Sequence, residues 1–146
     1  MIPDMPPTQS PERPDTLPFV ADVKDVQKES RVDELMTRMA YGRVALGAAA
    51  FLAPALTVKL MGLGTGNELV TRIFASREIA LGAGYLLSKD AGRQTWARLG
   101  VVVDSLDTVA GIKSRKAGVP LWAAAGFSAV AAGAASIGAA KVASRR

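Results

Sequence analysis

Six charged residues stand inside stretches that are otherwise apolar: Arg72, Arg77 and Glu78 in one, and Arg98, Asp104 and Asp107 in the next. A lone charge in such a stretch is costly to bury, so three cations and three carboxylates in neighbouring segments point to pairing or to a polar ligand. Asp104 and Asp107 are three apart and share a helix face, and Trp96, Gly100, Asp104, Thr108 and Gly111 continue that stripe at spacings of three or four. If the two segments form an antiparallel hairpin turning near Ala91, Glu78 falls level with Asp104, and Arg77 with Asp104 or Ser105. Arg77 and Asp104 are then the expected ion pair, Asp107 lies towards Arg72, and Arg98 reaches the inner interface. Two readings of this intramembrane charge network stay open. It fixes the register of two helices, or one carboxylate, Glu78 or Asp104, is left uncompensated and serves a proton, a cation or a polar headgroup.

Other chemistry is excluded by composition. The 146 residues contain no His and no Cys, which removes the conventional zinc site, the Ser-His or Cys-His nucleophile, the His- or Cys-ligated haem and the thiol redox centre. Two close carboxylates without further oxygen ligands hold a divalent ion weakly. The glycines of the 62–67 segment have no strand before them and no Gly-Lys-Ser/Thr after, so they read as a turn rather than a phosphate cradle. The chain is therefore expected not to be an enzyme and to carry no metal and no cofactor. No nucleic-acid partner is expected either.

The elements that position these charges follow from an uneven chain. Residues 1–43 hold eight of the 13 acidic residues and six of the eight prolines, all six within residues 1–18. Residues 1–18 read as a solvated tail with polyproline character, without the basic and apolar regions of a secretory signal. Residues 19–43 read as a short amphipathic juxtamembrane helix of mixed charge, with Ser30 and Asp33 as a capping box. Residues 44–140 read as a four-helix membrane domain, with helices near 44–63, 69–87, 94–112 and 119–140, and residues 141–146 as a basic tail. Pro54 should kink the first of these helices, Asn67 should cap the second, and Pro120 fits the first turn of the fourth. The basic cluster Lys113, Arg115 and Lys116 that follows the third leaves room for it to dip into the membrane without crossing.

The fourth segment has 22 residues without a charge, 15 of them Ala, Gly or Ser. Within it Ser128, Ala132, Ser136 and Ala140 form a small-residue seam suited to close helix packing. A 97-residue core so poor in large side chains would fill a water-soluble interior badly. The expected fold is thus all-α, a four-helix transmembrane bundle in the cell inner membrane. Basic residues of the N-terminal flank, the Lys89/Arg93 loop and the C-terminal tail favour both termini on the cytoplasmic side, while Lys113, Arg115 and Lys116 oppose it. The expected partners are the lipid bilayer and either another membrane protein or further copies of the chain. The expected role is binding, as an accessory or assembly subunit of an envelope complex or as a homo-oligomer; a proton- or ion-coupled carrier is the alternative.

The run Arg72-Ile-Phe-Ala-Ser-Arg-Glu-Ile-Ala-Leu-Gly-Ala-Gly-Tyr85, followed by Trp96-Ala-Arg98 and Asp104-Ser-Leu-Asp107, resembles a group of small four-helix membrane proteins of actinobacteria. Their shared pattern is an Arg-Glu or Arg-Asp pair before a Gly-rich helix end and then a helix carrying acidic residues. The resemblance covers about residues 40–140 and leaves out the proline-rich tail. It implies a polytopic helical fold and no particular reaction.

Overall fold

The computed structural model describes residues 18–62, 64, 66–114, 116 and 118–144, and all its regular structure among these is helical. Five helices follow in order: α1 (Pro18–Leu52), α2 (Pro54–Leu60), α3 (Glu68–Leu87), α4 (Asp90–Ser114) and α5 (Leu121–Ala143). The proline-rich tail before Pro18 lies outside the described residues.

α1 joins what the sequence pattern separates. The amphipathic stretch and the first apolar stretch form one helix of 35 residues, about 52 Å long at 1.5 Å per residue. No Pro or Gly interrupts residues 19–41, so nothing ends a helix there, and Ser30 sits inside it rather than capping it. At Pro54 the expected kink is a full break. Ala53 is driven out of the α region (φ −126°, ψ 60°), as a residue preceding proline is, and α2 leaves at 107° to the Val26–Leu52 part of α1. Segment 44–63 is therefore not one straight span. Asn67 occupies the N-cap position of α3, but its side chain donates to the Gly64 carbonyl at 2.6 Å instead of accepting from the helix.

The four long helices pack cyclically, α1 on α3, α3 on α4, α4 on α5 and α5 on α1, with α2 against α3 at one end. Close approaches fix the directions. A Cβ on Gly47 would stand 2.7 Å from the Ala75 carbonyl oxygen, and one on Gly82 would stand 2.6 Å from that of Ala40, so α1 and α3 are antiparallel. Gly111 beside Ser128 and Gly138 beside Val101 make α4 and α5 antiparallel in the same way.

Buried positions recur at steps of three and four, the signature of left-handed, coiled-coil-like packing. On α1 they are Met36, Ala40, Arg43, Gly47 and Ala50; on α3, Thr71, Ala75, Glu78, Gly82 and Tyr85. On α4 and α5 the most buried rows step by seven, through Ala97, Asp104 and Gly111 and through Ala124, Ala131 and Gly138. Within the bundle the small-residue seam is used only at one end. Ser128 is half-buried and its Oγ donates to the Thr108 carbonyl at 3.4 Å, but Ala132, Ser136 and Ala140 face outwards. A strict step of four advances 40° per repeat around a 3.6-residue helix and leaves the contact face, whereas a step of seven stays on it.

Beside a hydrophobic core that includes Met36, Leu81 and Tyr85, charges are buried while many large apolar side chains face out. Ile73, Leu106 and Val130 are 62%, 65% and 71% exposed, while Glu78 and Asp104 are 5% and 3% exposed. By length and composition α5 alone is a helix apolar enough to cross a membrane among the described residues, and α1 with α2 passes only as a bent pair.

Candidate functional site: a buried charge network

Arg43 stands at the centre of the bundle. Its Nη1 donates to Glu78 Oε2 on α3 at 2.7 Å, and its Nη2 donates to Asp104 Oδ2 on α4 at 2.5 Å. One guanidinium thus ties three helices together, and the side chains involved are a tenth exposed or less. The forked geometry of arginine suits this bridging, since its two terminal nitrogens diverge in one plane.

A second arginine completes the network. Arg77 Nη1 and Nη2 donate to Asp107 Oδ1 and Oδ2 at 2.8 and 2.6 Å, a bidentate pair, and Nη2 also lies 3.4 Å from Glu78 Oε1. Its guanidinium rests over the Phe74 ring at 4.8 Å, and Phe74 packs on Phe127 of α5 at 5.8 Å between centroids. The expected Arg77–Asp104 pair is replaced by Arg77–Asp107 and Arg43–Asp104. Adjacent residues project about 100° apart on a helix, so with Glu78 turned to the interior Arg77 points towards the α3–α4 edge, where Asp107 is and Asp104 is not. The expected depth match of Glu78 with Asp104 does occur, and Arg43 spans the two.

The other sequence-selected charges lie apart. Arg72 is exposed, with its guanidinium 5.4 Å from the centre of the Phe51 ring, and it does not meet Asp107. Arg98 is exposed on α4. Of the inward stripe on α4, Asp104 and Gly111 are buried, and Trp96, Gly100 and Thr108 are half-buried. The indole of Trp96 occupies the space where a Cβ on Gly84 would stand, and Gly82 meets α1, so the two glycines at the end of α3 serve two different neighbours.

No family model, curated protein or solved structure matches the chain.

Two residues that sequence reasoning left at the margins are central. Arg43 reads as an end anchor only if a helix starts at Val44; on the row Met36, Ala40, Arg43, Gly47, Ala50 it is an interior position. Lys141 reads as part of a tail, yet α5 runs on to Ala143 and buries it, with Nζ donating to Asp33 Oδ1 of α1. It follows Ala134 by seven, which is the signal that places it inside. The central network holds two guanidinium groups, Arg43 and Arg77, against three carboxylates, Glu78, Asp104 and Asp107. Beside it lies a cavity of about 20 Å³, bordered by Arg43, Asp104, Tyr85 and Trp96, with room for about one water molecule. Among the described residues no group of His, Cys, Asp or Glu is arranged to hold a metal ion.

Proposed function

We propose that this chain is a small polytopic protein of the cell inner membrane that acts by binding, as an accessory subunit of an envelope complex or as a homo-oligomer. One observation carries the reading: a charge network is buried inside a bundle whose outer surface is rich in large aliphatic side chains. Ile73, Leu106 and Val130 face out while Arg43, Glu78 and Asp104 are buried beside Met36, Leu81 and Tyr85, an arrangement that is stable where the surrounding medium is hydrocarbon and wasteful where it is water.

The vertical geometry agrees. α3 has 20 residues, about 30 Å, which matches the hydrocarbon thickness of a bilayer, and Glu78 is at its middle. At that level Arg43 lies nine residues, about 14 Å, from the end of α1 at Leu52. Ten residues the other way is Asp33, paired with Lys141 where the hydrocarbon would end. The first 15 residues of α1 would extend beyond it as an arm, on the cytoplasmic side with both termini. α2, turned across the bundle, would lie in the opposite interface.

The network is better suited to holding helices than to carrying a flux. Each carboxylate in it has an arginine partner, and the adjoining cavity is the size of one water rather than a path. Binding is left to the outer surfaces, where α5 presents Ala125, Ala129, Ala132, Ser136 and Ala139, side chains short enough for another helix to approach closely. Carbonate extraction of cell membranes, followed by gentle detergent purification and identification of co-purifying proteins, tests this. The chain should stay in the pellet and elute at a mass above that of one copy. Release into the soluble fraction would overturn the membrane reading, and elution of a pure single copy would overturn the binding role.

A further inference from the structure

We propose that the groove between α4 and α5 binds an anionic phospholipid, with its phosphate on Arg98 and an acyl chain along the groove. The proposal rests on the membrane reading above.

Three observations meet there. The groove has a volume of about 420 Å³ and is walled by Val101 and Val102 of α4 and Ala139, Val142 and Ala143 of α5, with Arg98 at its edge. Its floor is narrow because Gly138 lets α5 come against Val101, and the small alanines on the α5 side leave the trough open. The lining is hydrocarbon apart from one cation, which fits a molecule with a long apolar part and one negative group better than a soluble anion.

The cation lacks a protein partner. Arg43 and Arg77 have carboxylates, Arg93 donates to the Ser88 carbonyl, and Arg72 lies over Phe51. Among the described residues Arg98 has no hydrogen bond, ion pair or ring contact, and it is exposed. A guanidinium facing lipid without a counter-charge is unfavourable, and a phosphodiester supplies one in bidentate geometry.

Depth selects the headgroup. Arg98 is six residues, about 9 Å, from the level of Asp104, and the hydrocarbon edge lies about 15 Å from that level, so the side chain can rise along the groove to the phosphates. Arg98 is the one cation lining the groove, and a guanidinium without a protein counter-charge favours a lipid with net negative charge over a zwitterion.

The test uses the full chain in mild detergent, titrated with dioleoylphosphatidylglycerol or dioleoylphosphatidylcholine and followed by native mass spectrometry. Wild-type protein should retain phosphatidylglycerol in preference to phosphatidylcholine. Arg98→Gln should lower that retention about tenfold, and Val102→Trp, which fills the groove, should lower retention of both lipids. Arg72→Gln, also exposed but outside the groove, should change nothing. Equal phosphatidylglycerol retention by wild type and Arg98→Gln would overturn the site. The membrane reading fails separately, if the wild-type chain does not co-float with neutral phosphatidylcholine vesicles after reconstitution.

Discussion

Replacing Arg43 with Met removes the one cation that holds Asp104. Glu78 keeps a distant contact with Arg77 at 3.4 Å, but Asp104, whose side chain is 4% exposed, has no second cation within salt-bridge distance among the described residues. Two charge-assisted hydrogen bonds are lost, at about 1.5–3 kcal/mol each, and breaking a buried pair by deleting one partner costs about 3–5 kcal/mol. The two figures overlap, and we expect a loss of about 3–5 kcal/mol, measured by denaturation with sodium dodecyl sulfate in mixed micelles. The origin of the loss is checked by the triple variant Arg43→Met, Glu78→Met, Asp104→Leu, which replaces all three charges with apolar side chains of similar size. It should recover most of the stability, because a buried ion pair replaced as a whole is close to neutral. A cost below about 1 kcal/mol for Arg43→Met would show that the guanidinium is not dry and central, and a triple variant as unstable as the single one would refute the charge argument.

Three further outcomes follow from the same geometry. Glu78→Gln should cost far less than Arg43→Met, under about 1 kcal/mol in the same assay, because the network has one carboxylate more than it has guanidiniums and the amide oxygen still accepts from Arg43. Arg77→Ala should cost about 1–3 kcal/mol, less than Arg43→Met because Arg77 is one-third exposed, and the exchange Arg77→Asp with Asp107→Arg should restore part of it, as a double-mutant cycle would read. Gly82→Val should destabilise by about 1–3 kcal/mol since its Cβ would meet the Ala40 backbone, which cannot swing aside, whereas Gly126→Ala, with nothing within 4 Å, should be neutral or stabilising in thermal unfolding.

How much of this was legible beforehand differs between levels. The helices α3, α4 and α5 could be read because apolar runs of helix length are bounded by Gly-rich or polar turns, a local signal. The depth match of Glu78 with Asp104 could be read from the short α3–α4 connection. The partner of Asp104 could not, because Arg43 is 61 positions away on a helix whose start was misplaced. A switch from polar to apolar composition near Val44 looks like a boundary, yet the backbone has no reason to stop there, and α1 continues through it. The α5 seam does not mark the contact with α4 for a related reason: small residues repeat on several faces of an Ala-rich helix, and a step of four follows a face that drifts away from α4. Gly111 and Gly138, at close approaches, were the better guides.

The central claim is that the outside of this bundle faces hydrocarbon and its charges face each other. The chain has no cysteine, so single cysteines at Ile73, Leu106, Val130 and Ala131 can each carry a spin label in reconstituted vesicles without background. Power-saturation measurements then compare collision with oxygen, which concentrates in lipid, and with a water-soluble nickel chelate. The account expects high oxygen and low nickel accessibility at Ile73, Leu106 and Val130, and low accessibility to both at Ala131. High nickel accessibility at Leu106 and Val130 would place the outer face in water and contradict it.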